Sequence, residues 1–236
     1  MQTESLPDIH DPSGFVLLSD YVPDALQEMR YATAFNFVGE RIDGYDLPLA
    51  LLTRPAAEAV RAAAEIFRQR GFAIKVFDAY RPQRATDHFL RWLKDARDTR
   101  MKPWFYPDLD KAVLIAEDYI GRRSGHSWGS TIDMTLVDLR TGRELDMGGP
   151  FDFFGDRSHA DFVGNLTEAQ RANRRLLREV MLSQGFLPLA SEWWHFHLAE
   201  EPYPHVCFDF PIDASTVHRL ETALPQILPG FPKKWD

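Results

Sequence analysis

The chain has 236 residues, 44% of them hydrophobic, and a formal net charge of −8. That length suits one large domain or one domain with a short appendage, and the acidic balance argues against the basic face of a nucleic-acid binder. A single cysteine, Cys207, excludes an intrachain disulfide.

Between Val206 and Phe208, that cysteine reads as a small buried hydrophobe. The N-terminal stretch lacks the basic and apolar regions of a signal peptide, and no apolar run approaches the ~18–20 residues that span a bilayer. The expectation is a soluble, cytoplasmic protein with neither a membrane nor a nucleic acid as partner.

Residues 1–50, rich in Pro, Gly, Asn and aromatics, read as loops with short strands. A helix is predicted from Thr53, with Pro55 in its first turn; Ala56, Val60, Ala63, Ala64 and Phe67 recur at helical spacing, and Gly71 ends it. Phe72 to Tyr80 reads as a strand that Arg81-Pro82 breaks. Gln83 to Ala96 reads as a helix with Phe89, Leu90 and Leu93 in its buried stripe. Residues 97–110 read as loop and Leu109 to Tyr119 as a further helix. Ser130 to Val137 has strand character, whereas Leu145 to Asp161 is aperiodic. Thr167 and Gln170 form a capping-box pattern, and the helix they open carries Ala172, Leu176, Leu177, Val180 and Met181 and closes at Gly185. Phe186 to Leu198 reads as a strand. From Ala214 the tail reads as a short helix followed by an irregular, proline-rich end. Without a regular βαβ rhythm or a Gly-rich phosphate loop, the pattern predicts an α+β fold.

Chemistry concentrates in two segments, Ser124 to Asp133 and Ser191 to His195. They supply two imidazoles, a candidate ligand carboxylate and a second carboxylate free to act as a base. A catalytic zinc takes three protein ligands from the His/Asp/Glu set and leaves one position open. Neither segment is HExxH. His126 and Asp133 are seven apart, and Glu192 and His195 three apart. On a flat strand an odd separation puts side chains on opposite faces. Convergence therefore demands a bend in each segment, one at Gly129 and a bulge or strand end at Trp193-Trp194. Otherwise each histidine is a hydrogen-bonded core residue. His197 alternates with His195 and is either a supporting group or a rival ligand. Arg81, at the predicted strand end, either points its guanidinium into a cleft or pairs with Asp78. In the 145–161 segment, Asp152 is placed to hold an ammonium, unless the phenylalanines there only anchor a loop.

Taken together the chain resembles the zinc D-alanyl-D-alanine dipeptidases of the vancomycin-resistance type, within the D-Ala-D-Ala metallopeptidase family. The resemblance runs through Tyr31-Ala32-Thr33, Asn36-Phe37, Gly44-Tyr45, Asp78 to Pro82, Ser124 to Asp133, Met147-Gly148 and Phe151-Asp152-Phe153. It continues through Ser158-His159, Asn173-Arg174, Glu192 to His195, Glu201 to Pro204 and Phe208 to Pro211. It implies a central antiparallel sheet flanked by helices, Hedgehog/D-Ala-D-Ala peptidase-like, with one Zn2+ on His126, Asp133 and His195. It further implies Glu192 as catalytic base, Arg81 as transition-state stabiliser, and Tyr31, Ser124, Asp152, Trp193 and Trp194 around a small D,D-dipeptide. Residues 1–213 would be the catalytic domain and 214–236 a C-terminal extension; a homodimer is left open.

The chain departs from the family pattern at Ala79, Gly125, Trp128, Thr131 and Gly149-Pro150. None of these removes a ligand, the base or Arg81. Two further readings stand beside hydrolysis of the free dipeptide. One is a D,D-carboxypeptidase or endopeptidase on peptidoglycan stems. The other is a catalytically silent zinc-binding module of the same fold.

Overall fold

The computed structural model of the protein describes residues 8–116 and 120–227. Its elements in chain order are β1 (Phe15–Leu17), α1 (Leu18–Tyr21), β2 (Leu26–Gln27), β3 (Leu51–Thr53), α2 (Arg54–Gln69), β4 (Phe72–Asp78) and α3 (Gln83–Lys94). There follow α4 (Lys102–Phe105), α5 (Lys111–Ala116), β5 (Thr131–Asp138), β6 (Arg143–Glu144), α6 (Glu168–Ser183), β7 (Phe186–Leu189), β8 (Glu192–Leu198) and α7 (Ala214–Ile227). The main sheet has the order β2-β4-β5-β8-β7, with β6 beside the end of β5, while β1 and β3 form a separate antiparallel pair. Every pairing in the main sheet is antiparallel except that of β2, which runs parallel to β4. The fold is α+β, as the sequence pattern predicts.

β5 is the central strand and shows how the layers form. Ile132, Met134 and Leu136 alternate with Thr131, Asp133 and Thr135, so one face of the strand is apolar and the other polar. The apolar set joins Val60, Ala63 and Phe67 of α2 and Leu177, Val180 and Met181 of α6 in one core. The polar set is just as buried and faces the side on which the chemistry gathers.

The predicted helices form with local differences. Thr53 occupies the N-cap position of α2, but its hydroxyl meets Ser130 Oγ at 2.6 Å instead of a helix N–H. The capping box of α6 forms fully between Thr167 and Gln170. In α3 the buried stripe is Ala85, Phe89, Trp92 and Leu93, and Leu90 is only half-buried. The expected strand Phe186–Leu198 is instead the hairpin β7–β8, because the chain turns at Ala190-Ser191. The expected loop 97–110 contains α4, and Cys207 is half-buried rather than enclosed. Of the expected helix 109–119 the last three residues, and of the tail residues 228–236, lie outside the described residues. No helix among the described residues is long and apolar enough to cross a membrane.

Two polar anchors tie the loops to this frame. Arg174, almost fully buried in α6, donates to the carbonyls of Met147 (2.6 Å), His159 (2.9 Å) and Arg157 (2.6 Å). It thereby pins both ends of the aperiodic 145–161 segment; burial without a carboxylate in contact lowers its pKa to about 10. Glu201 accepts from Ser130 Oγ (2.8 Å) and the Tyr203 N–H (3.3 Å), extending the Thr53–Ser130 contact to the C-terminal loops. Burial raises its pKa to about 7 against the lowering effect of those bonds.

Replacing Arg174 by Met strands three carbonyls and is expected to cost about 3 kcal/mol, read from urea unfolding. A carboxyl raised on folding holds its proton more tightly in the folded state. Its contribution is therefore complete below the unfolded value of 4.5 and is lost as pH rises through about 7. Allowing for solvent screening of a half-buried group, this loss is on the order of 1–2 kcal/mol. Glu201→Gln should flatten the stability profile by that amount across this window, in unfolding curves at matched pH values.

Candidate active site

Three central strands each deliver one charged side chain to a single row. Asp78 of β4 lies opposite Asp133 of β5, which lies opposite His195 of β8, so all three leave the same face of the sheet. Two irregularities make the row. The register of β4 on β5 slips between Val76 and Asp78, a bulge that re-aims the strand end. On the other side, Pro188 of β7 faces Phe196 while Leu189 faces Glu192, so β8 bulges outward through Trp193 to His195. That bulge brings Glu192 Oε2 within 3.4 Å of His195 Nδ1 despite their odd separation.

His126 comes from outside the sheet. It sits in a 3₁₀ turn, Gly125–Trp128, whose cap is the Ser124 hydroxyl accepting from the His126 N–H at 3.3 Å. Gly129 then turns the chain into β5 with φ +93°, where an added Cβ would overlap the Phe15 ring. Both bends demanded by the spacing are present.

One ligand atom from each of His126, Asp133 and His195 lies within 4.8 Å of the others, the one such cluster among the described residues. His126 Nε2 is 3.3 Å from Asp133 Oδ2 and 3.2 Å from His195 Nδ1; His195 Nδ1 is 3.1 Å from Asp133 Oδ1. The far nitrogen of His126, Nδ1, meets the Ala79 carbonyl at 2.7 Å. A carbonyl only accepts, so that nitrogen carries the proton and Nε2 turns a lone pair inward. Asp133 Oδ1 receives no hydrogen bond even with His195 so near. With the His126 lone pair and the Asp133 carboxylate turned toward His195 Nδ1, the three side chains make an N,O,N donor set. Once His195 exchanges its proton for the metal, the set fits a divalent metal with one open position, as zinc takes in catalytic sites.

The charges around the cluster are interlocked. Burial pushes Asp133 up, but His126 and His195 more than offset it and keep the carboxyl anionic. Burial alone would lower His195, and Asp133 and Glu192 reverse that to about 9. Arg81 donates Nε–H to Asp78 Oδ2 (3.0 Å), lies 4.0 Å from Asp133 Oδ2 and reaches Ser124 Oγ at 3.4 Å. It thus does both things its position allows, pairing with Asp78 and facing the cleft over the rings of Tyr31 and Phe89. Tyr31 Oη donates to Asp152 Oδ2 at 2.9 Å. Asp152 holds a left-handed backbone, φ 61°. Its pKa stands well above the carboxylate range through burial and the nearby Asp133 and Glu192 charges.

Tyr31, Arg81, Ser124, His126, Asp133 and Asp152 line one cavity of about 150 Å³, together with Glu192 and His195. This is well below the ~300 Å³ at which pockets for drug-sized ligands begin. Trp193 and Trp194 do not line it. Trp194 packs edge-on to Phe151, and Trp193 faces a neighbouring cavity. His197 lies outside the cluster, opposite Thr131, its ring centre 6.3 Å from that of His195. In the sequence, Asp78 stands out only as a partner for Arg81. The structure adds that it is fully buried, takes the Tyr45 hydroxyl at 2.6 Å and lies 3.5 Å from His126 Nδ1. An acid at the end of a strand whose only other polar residue is Lys75 is the available signal. Gly125 and Thr131 prove to be neighbours: a Cβ on Gly125 would stand 3.2 Å from Thr131 Oγ1.

The family model described as D-ala-D-ala dipeptidase, peptidase family M15, matches residues 11–213. Similar relatives carry the name D-alanyl-D-alanine dipeptidase. One from Enterococcus faecalis is 40% identical over 202 residues, covering 85% of this chain and 98% of the relative. One from Streptomyces coelicolor is 41% identical over 198 residues, covering 84% and 98%. One from Escherichia coli is 34% identical over 201 residues, covering 85% and 93%. The matched span contains the whole sheet and every residue of the cluster, and the chain belongs to the D-ala-D-ala dipeptidase family of peptidases.

Proposed function

We propose that the protein is a zinc dipeptidase that hydrolyses D-alanyl-D-alanine to two D-alanines, with residues 1–213 as the catalytic unit and 214–236 as an extension. The observation that carries this reading is the small cavity lined both by the His126–Asp133–His195 cluster and by Asp152. His126, Asp133 and His195 would hold the zinc, which when bound supplies Lewis acidity and a water of lowered pKa.

The chain's own groups then divide the work. Glu192, beside His195 and half-exposed to the cavity, takes the proton from the attacking water and delivers it to the leaving amine. Arg81, held by Asp78, presents its remaining N–H groups to the oxygen that gains charge as the carbonyl becomes tetrahedral. His126 is kept in one tautomer by the Ala79 carbonyl. Asp152, crowded by Asp133 and Glu192, gains a counter-charge when a free α-ammonium enters, and Tyr31 orients it. An acylated amine offers no such charge and needs more room, which disfavours the carboxypeptidase reading. A silent module would be expected to lack the base or the arginine.

Wild type should cleave D-Ala-D-Ala, leave its N-acetyl form and L-Ala-L-Ala nearly untouched, and lose activity to a chelator. Glu192→Gln should keep its zinc, measured by atomic absorption, while turnover drops by about 10² or more. Near-normal turnover in that variant with zinc in place would remove Glu192 as base. Ready cleavage of the N-acetyl substrate would move the protein to the carboxypeptidase class.

A further inference from the structure

Behind the catalytic cavity, and not lining it, stand Tyr45 and Asp78, both fully buried. The Tyr45 hydroxyl donates to Asp78 Oδ1 at 2.6 Å. Arg81 addresses the other oxygen with two nitrogens: Nε–H donates to Oδ2 at 3.0 Å, and Nη2 stands 2.9 Å from the same atom. An arginine beside a carboxylate frequently takes one oxygen with each of two N–H groups, a side-on fork. That fork is not formed here, and the oxygen it lacks is the one Tyr45 holds. The guanidinium stays turned toward the cavity, where Nη1 reaches Ser124 Oγ at 3.4 Å and Nη2 lies 4.0 Å from Asp133 Oδ2. Tyr45 is itself clamped. Its N–H donates to the Ile42 carbonyl at 3.2 Å, and its neighbours bridge the 212 backbone through Ile212 N–H to Gly44 (2.8 Å) and Leu47 N–H to Ile212 (2.9 Å). Gly44, at φ +88°, brings this segment against Pro82 and Arg84, where an added Cβ would stand 3.1 Å from each. The Tyr45 ring meets the Tyr31 ring edge-on at 5.6 Å.

We propose that Tyr45 is a positioning residue for Arg81: by occupying Asp78 Oδ1, its hydroxyl denies Arg81 the two-oxygen fork and keeps guanidinium N–H groups aimed into the cavity. This rests on the role proposed above for Arg81 in stabilising the tetrahedral oxygen. Without the hydroxyl, Asp78 turns to accept Nε–H and Nη2–H on separate oxygens, which draws the guanidinium back from the reacting carbonyl. A misplacement of about 1 Å of that kind costs up to about 10² in rate. The ring has a separate task. It packs on Tyr31, which bonds Asp152, so a phenylalanine at position 45 keeps the support of the ammonium end.

The test pairs crystal structures of the full-length zinc-loaded protein and its Tyr45→Phe variant with D-Ala-D-Ala kinetics in a cycle with Arg81→Lys. In Tyr45→Phe, Arg81 should pair with both Asp78 oxygens and withdraw from Ser124. Turnover should fall about tenfold or more with KM held within about twofold, the split expected when an interaction made only in the transition state is lost. A lysine ammonium has no fork to form. Adding Tyr45→Phe to Arg81→Lys should therefore change turnover by less than about twofold, whereas a merely structural tyrosine would cost the same in both backgrounds. Tyr45→Met also lacks the hydroxyl and adapts to the space, and it gives the same structural reading if Tyr45→Phe does not fold. The proposal is overturned by an unmoved Arg81 in the variant, by a rise in KM with turnover intact, or by an equal loss in the Arg81→Lys background. A wild type that leaves D-Ala-D-Ala uncut would remove the proposed reaction, and the two structures would still decide whether Tyr45 sets the Arg81 pairing.

Discussion

The structure depends on keeping several buried charges mutually compensated in one row across β4, β5 and β8. Asp78 and Asp133 are both carboxyls taken out of water, and Arg81 sits between them, 2.9 Å from one and 4.0 Å from the other. The imidazoles of His126 and His195 complete the balance. Taking one member away from such a group leaves an uncompensated charge, a loss of roughly 3–5 kcal/mol. The sheet therefore cannot tolerate the row as an ornament; it persists where binding or chemistry gives it a purpose.

The rest of the molecule braces that row. Two long helices cover the apolar face of the sheet, and the polar face is closed by α3 and by segments tied down through Arg174 and Glu201. The departures from the family pattern fit the same frame. Thr131 sits against Gly125, where a Cβ would stand 3.2 Å from its hydroxyl, so these two departures are neighbours in space although six residues apart in sequence. Ala79 contributes a carbonyl to His126, a role any residue fills from its backbone. Pro150 borders the neighbouring cavity that Trp193 faces, and Trp128 packs on His205, so neither lines the small one.

Much of the fold is legible in the sequence because helical periodicity and capping are local. The stripe of α2 and the capping box of α6 need nothing beyond their own residues. The hairpin at Ala190-Ser191 is hard to read, since neither turn residue is a glycine or proline, and the nearest break, Pro188, lies inside β7 instead of in the turn. The cluster is half legible. Spacing demanded bends at Gly129 and around Trp193, but which neighbour each strand pairs with, and hence the Asp78–Asp133–His195 row, is set by registers that no single segment encodes. For the same reason Trp193 and Trp194, adjacent in sequence, serve different environments: the bulge turns them onto separate neighbours. Family resemblance, resting on positions spread from Tyr31 to Pro211, carried the information that local spacing lacked.

The left-handed backbone at Asp152 shapes how this position can change over evolution. Only glycine and, among the larger residues, asparagine and aspartate adopt that conformation readily. The loop thus admits a neutral amide of nearly identical shape more easily than a longer acid. On the proposed reading, the preference for a free amino group is separable from the architecture. It can be surrendered by a substitution that leaves the loop standing, while lengthening the acid by one methylene would disturb the backbone before it tested the charge.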